Sequence, residues 1–406
     1  MNNEGGRNIT LFSGAFSQTL FALSFSTLDL AAGFIASLVA SYVVKMPWIL
    51  IIYPPLLTVR GNISGMFSGR LTTGLHVGLI KPTIGKNTEY FYSLRASIFF
   101  MSFINAFVVG FLTYTVFLVF EPLYNVSLLI LISIAMMSMM IPTVISIFFF
   151  APLIAIASYK KGIDPDVIAY PVLSTANDII VSAIYVVTIW LFIFWENVFI
   201  AVSYILITLF SFIFIYSSKY WTDKNFKKTV SEGMFIIMIL MVISNLTGGV
   251  LSKLRYYIER YPHLLAIYPC LLTMIGDEGS IIASTTTTKL GLGNIKPSLK
   301  SIIHRENIIS ILGVLLAGLI MSTVFATIGS FLYAFSLLKL VQTILISFIT
   351  AFLLATPIIF ISFGSAIVTF KRGLNPDNFT IPTITSLSDF LTTISLFTVI
   401  KLIIGI

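Results

Sequence analysis

Long apolar runs broken by short polar stretches set the pattern of this chain. A hydrocarbon core about 30 Å thick takes roughly 20 apolar residues per helix. On that measure the sequence predicts eleven spans, at about 15–44, 47–80, 96–120, 126–158, 167–193, 197–217, 233–252, 262–294, 305–333, 337–370 and 379–405. The second is expected to be broken by Pro54, Pro55 and Gly61, and the eighth by Pro269 and Gly276. Every span reads as helix, because a helix satisfies its own backbone in lipid and the ten-residue alternation of a membrane barrel is absent.

The runs also repeat. Residues 54–82 align with 269–297 at a constant offset of 215, with twelve of 29 positions identical, among them Pro54/Pro269, Gly61/Gly276, Thr72/Thr287, Gly78/Gly293 and Lys81/Lys296. The match extends upstream to Pro47/Pro262 and Tyr53/Tyr268. Residues 161–178 align with 372–389 at offset 211, with Gly162/Gly373, Pro165/Pro376, Pro171/Pro382 and Asp178/Asp389 identical. The chain therefore reads as a tandem duplication. A first unit spans 1–195, a connecting helix and basic loop 196–230, and a second unit 231–406. Five-helix units joined directly would lie inverted, so the extra sixth span makes them parallel. The expected fold class is an all-α polytopic membrane protein with a pseudo-two-fold axis along the membrane normal.

Composition sharpens this. Charged residues are 10% of the 406, against about 25% in a soluble domain, and hydrophobic residues are 57%, which excludes a soluble enzyme or nucleic-acid binder. The net charge of +8 follows membrane topology and calls for no nucleic acid. With the N-terminus inside, fifteen Lys and Arg fall on the cytoplasmic side and six outside. That predicts a cell-membrane protein with a cytoplasmic N-terminus and an extracytoplasmic C-terminus. The polar start predicts no cleavable signal peptide. The single cysteine, Cys270, excludes an intrachain disulfide framework and reads as packing. No Walker A motif is present, which argues against ATP-driven pumping by this chain.

Ionisable residues inside spans are costly and point to function. Asp178 and Asp389 hold matching places in the fifth and eleventh spans. Ser174 and Ser182 flank the first at helical spacing, and Thr385 and Thr393 flank the second. Each unit thus offers a carboxylate and two hydroxyls on one stripe, a donor set that suits a hard divalent cation such as Mg²⁺. Asn62 after Gly61, and Asp277 and Glu278 after Gly276, add oxygen donors. Packing or helix capping is the competing reading for each. Asp29 reads as a pathway-lining group or a structural hydrogen-bonder, Gln18 and Glu232 as lining the inner mouth or as interfacial caps, and Thr285–Thr288 and the run Met136–Met140 as helix packing.

At these residues the sequence resembles the MgtE-type magnesium transporters. The resemblance rests on Gly61, Asn62, Gly65, Arg70 and Leu71, and on Asp164-Pro165, Pro171, Ser174-Thr175 and Asp178. The tandem arrangement is similar to that of the magnesium-transporting solute carriers of animals. The resemblance implies a divalent-cation pathway at the interface of the repeats, with Asp178 and Asp389 coordinating Mg²⁺, or Mn²⁺, Co²⁺ or another divalent cation. It also implies that one chain in membrane lipid suffices as a monomer that mimics a homodimer. The second unit departs from the pattern at Gly276-Asp277-Glu278-Gly279 and Asn375-Pro376. Bacterial relatives carry a cytoplasmic magnesium-sensing region; this chain has none, so gating by it is not expected. The expected activity is passive divalent-cation transport and not catalysis. Exchange for Na⁺ or H⁺ is the alternative, and an integral-membrane enzyme acting on lipid the more distant one.

Overall fold

The structure, a computed structural model, describes residues 2–83, 85–161, 165–333, 336–373 and 376–405. In chain order the helices are α1 (Asn2–Phe25), α2 (Asp29–Ser37), α3 (Trp48–His76), α4 (Glu89–Phe120), α5 (Leu128–Ile145), α6 (Ala151–Lys160), α7 (Pro165–Phe194), α8 (Glu196–Ser217), α9 (Lys224–Ser252), α10 (Arg255–Arg260), α11 (His263–Gly291), α12 (Arg305–Phe331), α13 (Leu337–Lys371) and α14 (Pro376–Ile404). Among the described residues there is no strand, and ten helical segments are long and apolar enough to cross a membrane. The expected span missing from those ten is α3. Its 29 residues are long enough, but Arg60, Asn62 and Arg70 reduce its apolarity. The protein is a multi-pass, all-helical membrane protein.

Two expected breaks are absent. The helices α3 and α11 run continuously through Pro54, Pro55 and Gly61, and through Pro269 and Gly276. A proline removes one ladder bond, and neighbouring helices can satisfy the freed backbone. Instead the first span breaks, at a short 3₁₀ segment Ser26–Leu28 between α1 and α2. The fourth span carries a π-helical turn, Ser146–Phe150, that begins four residues after Pro142.

The helices form two compact units, Met1–Ser37 with Arg260–Ile406, and Leu38–Glu259. In the first, α11 is the centre, with 78% of its span buried against α2, α12, α13 and α14, while α1 lies along α12. In the second, α3 is central, packed on α9, α7 and α4. The connecting helix α8 is peripheral, with 17% of its span buried, and Phe214 docks it by stacking on Phe100 and Phe103 at 4.5 and 4.6 Å. These units cut the chain differently from the sequence repeat: each takes its first helix from the opposite repeat.

That exchange rests on matching contacts. A Cβ at Gly33 in α2 would lie 1.9 Å from the Ala266 carbonyl oxygen of α11. A Cβ at Gly248 in α9 would lie 1.9 Å from the Ile51 carbonyl oxygen of α3. Both pairs are related by the offset of 215. The helices cross backbone to backbone, which only glycine permits. Pro55 also deprives the Ile51 carbonyl of its helical donor, and α9 covers that oxygen. Both central helices end alike, on Gly78 and Gly293 at φ 77° and 72°, the left-handed turn that closes a helix.

Gly33→Ala and Gly248→Ala are each expected to cost about 1–3 kcal/mol, because a new methyl must displace backbone. Gly61→Ala, with nothing within 4 Å of its Cβ position, is expected to be neutral or to stabilise by about 0.5–1 kcal/mol. Thermal unfolding in detergent reads all three, and a uniform response would contradict the crossing.

Candidate functional site

Each unit positions its intramembrane aspartate with the same device. Tyr53 on α3 shares a 2.9 Å hydrogen bond with Ser182 on α7. Tyr268 on α11 shares a 2.9 Å hydrogen bond with Thr393 on α14. Asp178 and Asp389 precede those hydroxyl residues by one helical turn, and both are buried. The paired tyrosine and hydroxyl lock the rotation of the acid-bearing helix against the central one. Neither tyrosine was assigned a role from sequence, although both lie in the matched stretch. In the Leu38–Glu259 unit the lock is reinforced: Tyr185 stacks on Tyr53 at 5.4 Å, and its hydroxyl donates to the Ile49 carbonyl at 2.5 Å. The matching position in the other repeat is Leu396.

The surroundings of the two acids differ in charge. Arg60 on α3 is 1% exposed. Its guanidinium donates to the Ser64 hydroxyl, and at 3.3 Å to the Pro142 carbonyl and to Asn177 Oδ1. Asn177 donates in turn to Ser64 at 3.0 Å. Asp178 is the acid that acts on Arg60 electrostatically. A lone arginine inside an apolar run was the available signal for this network, and it needs the fold to show its partners. At the matching place in the other repeat stands Ile275, and Gly279 and Ser388 replace Ser64 and Asn177. Asp389 therefore has no arginine in the equivalent position.

Acids are added where that arginine is lost. Ser26, in the break between α1 and α2, donates to Asp277 Oδ2 at 3.4 Å. Glu278 is 3% exposed and makes no hydrogen bond or ion pair among the described residues. Its carboxyl group lies in a notch at Gly318 of α12, where a Cβ would fall 1.3 Å from Oε1. Thr385 lies beside Gly276, 3.5 Å from its Cβ position, so the predicted donors of α11 and α14 adjoin in this unit. The Thr385 hydroxyl donates to the Pro382 carbonyl at 3.1 Å. Asn62 is half-buried, and its amide nitrogen finds no acceptor among the described residues. Ser174 is half-buried on α7, one turn before Asp178. Among the described residues no group of three or more His, Cys, Asp or Glu side chains is arranged to hold a metal. Asp164 and Asn375 lie outside the described residues, and of Pro165, Pro171 and Pro376 only the helical backbone is described.

Other candidates resolve structurally. Glu232 forms an ion pair with Arg70 at 2.9 Å, and Arg70 also donates to Thr229 at 2.9 Å. Met136–Met140 is buried throughout, as is Cys270. Of the four threonines expected to pack, Thr286 is buried, while Thr285 and Thr288 are exposed. One acid was not anticipated. Glu121, 3% exposed at the end of α4, receives Lys253 at 3.1 Å and Arg255 at 2.5 Å, tying two loops of one predicted side together.

The MgtE family profile, described as a divalent cation transporter, matches residues 53–188 and 268–399, more than half of the chain. The chain belongs to the MgtE family. Its two MgtE matches begin at the equivalent residues Tyr53 and Tyr268 and end at the equivalent residues Thr188 and Val399. They enclose both aspartates and both Gly61/Gly276 segments, and they leave out α1, α2, α8, α9 and α10. No curated protein and no solved structure matches the chain. Membership makes this a divalent-cation transporter in the membrane.

Arg60→Met removes the donor to Ser64, Asn177 and the Pro142 carbonyl together with a charge that acts on Asp178, and is expected to destabilise the fold by about 3 kcal/mol. Adding Asp178→Asn is expected to restore part of that loss, with a coupling of about 1–3 kcal/mol. Unfolding midpoints of the two single variants and the double variant measure it, and strict additivity would contradict the pairing.

Proposed function

We propose that the chain moves Mg²⁺ or a similar divalent cation passively across the membrane, with one coordinating carboxylate from each repeat, Asp178 and Asp389. Ser174 and Thr385 supply hydroxyl oxygen one turn away. Asn62, Asp277 and Glu278 supply further oxygen on the central helices. The observation that carries this reading is the repeated device itself: a buried aspartate held one turn from a hydroxyl that is locked to the tyrosine of a matched helix. Acids are costly inside a membrane, and a duplication that keeps both in the same frame argues for work that needs them. Mg²⁺ retains several waters and takes one or two carboxylates, so it needs no cluster of three acids.

The two acids do not contribute equally in this reading. Arg60 already balances Asp178, while the repeat with Asp389 adds Asp277 and Glu278. The second repeat therefore carries more of the cation's charge. In the same proposal the repeats are the sequence units 1–195 and 231–406, joined by 196–230. One chain suffices, and the N-terminus is cytoplasmic.

Purified protein in liposomes loaded with a fluorescent Mg²⁺ reporter tests this. Asp389→Asn is expected to lower influx about tenfold or more, Asp178→Asn less, and the double variant to abolish it, since losing a carboxylate ligand removes more than about 1.4 kcal/mol. Competition by Mn²⁺, Co²⁺ and Ca²⁺ ranks the ions. Undiminished influx in the double variant would remove both acids from the pathway.

A further inference from the structure

A cavity of about 550 Å³ opens in the unit built from Met1–Ser37 and Arg260–Ile406, among α1, α11, α12 and α13. That is the size of a small-ligand pocket. Its polarity changes along its length. One end holds Lys289, two residues before the end of α11, and Glu306, the second residue of α12, with Asn307 beside it. Lys289 donates to Asn307 Oδ1 at 2.7 Å and interacts electrostatically with Glu306. The deeper end is walled by Ile282, Ile311, Val314 and Phe363, which form one buried apolar cluster. A polar end at the helix termini and an apolar end within the span follow the gradient of a phospholipid from headgroup to acyl chain.

The repeat provides a second argument. In the other unit the equivalent ground is filled by protein charge, the guanidinium of Arg70 bonded to Thr229 and Glu232. At the offset of 215 the residues at the matching places are Thr285, Gly14 and Ser17, and the first two line this cavity. Where one unit places its own ion pair, the other has small, neutral residues around open space.

The charges narrow the occupant. A half-buried lysine makes the cavity a poor vestibule for a divalent cation. A carboxylate beside it disfavours a purely anionic headgroup, which basic pockets select. A quaternary ammonium prefers an aromatic cage, and Phe363 is the one aromatic side chain among the lining residues. A phosphate paired with a primary ammonium fits: the phosphate accepts from Lys289, and the ammonium donates to Glu306 and to the amide and hydroxyl oxygens around it.

We propose that this cavity is a binding site for a phospholipid with an ethanolamine headgroup. The proposal stands apart from the transport reading, because binding is measured without flux.

The test is native mass spectrometry and thermal unfolding of delipidated full-length protein titrated with phosphatidylethanolamine, phosphatidylcholine or phosphatidylglycerol. The wild type is expected to retain the ethanolamine lipid in preference to the other two and to unfold at a higher temperature with it. Lys289→Gln and Glu306→Gln are each expected to weaken that binding about tenfold, the loss of one charge-assisted contact. Thr285→Trp fills the cavity from an exposed position and is expected to abolish binding. It covers the case in which a charge variant fails to fold. Equal or stronger retention of the glycerol or choline lipid by wild type would overturn the proposal, as would unchanged ethanolamine-lipid binding in folded Thr285→Trp.

Discussion

A charge inside a membrane-spanning helix bundle needs a partner, since lipid supplies none. Most of the polar architecture here follows from that constraint. Arg60 is enclosed by Ser64, Asn177 and the Pro142 carbonyl beside Asp178. Glu121 is met by Lys253 and Arg255, and Arg70 by Glu232. Each of these charges meets polar or oppositely charged partners within the protein. Glu278, buried in its notch at Gly318 without a hydrogen bond among the described residues, does not. Matched positions in the two repeats are therefore neutralised unevenly.

Duplication kept the frame and let the chemistry diverge. The glycine crossings at Gly33 and Gly248, the tyrosine–hydroxyl locks and the closing Gly78 and Gly293 recur in both repeats. They are geometric, and a change at any one would shift a whole helix. The positions that differ carry charge or volume: Arg60 against Ile275, Asn62 against Asp277, Tyr185 against Leu396, Arg70 against Thr285. Such exchanges alter the charge and volume inside each unit while the matched contacts around them recur. The two units have one scaffold and unequal interiors.

Much of this was legible in the sequence. Apolar run length predicts the spans, and two ungapped alignments expose the duplication. Matched acids with hydroxyls at helical spacing identified Asp178 and Asp389 as candidates. Prolines misled, because their local effect is to break helices, whereas here packing against neighbouring helices keeps α3 and α11 continuous. The break at Ser26–Leu28 has no proline or glycine to announce it. The exchange of first helices was invisible, since periodicity shows which residues are buried and not which helix buries them. Arg60 was visible as an oddity, but its partners lie 82 to 117 residues away along the chain, apart from Ser64.

The central claim is that the protein passes divalent cations down their electrochemical gradient. The most direct measurement is Mg²⁺ uptake by proteoliposomes under an imposed K⁺ diffusion potential, with Na⁺ and pH equal on both sides. An inside-negative potential of about 100 mV supplies about 4.6 kcal/mol for a divalent ion. Uptake is expected to rise with that potential and to need no other gradient. Uptake that ignores the potential and appears only with an opposing Na⁺ or H⁺ gradient would contradict passive transport and establish exchange in its place.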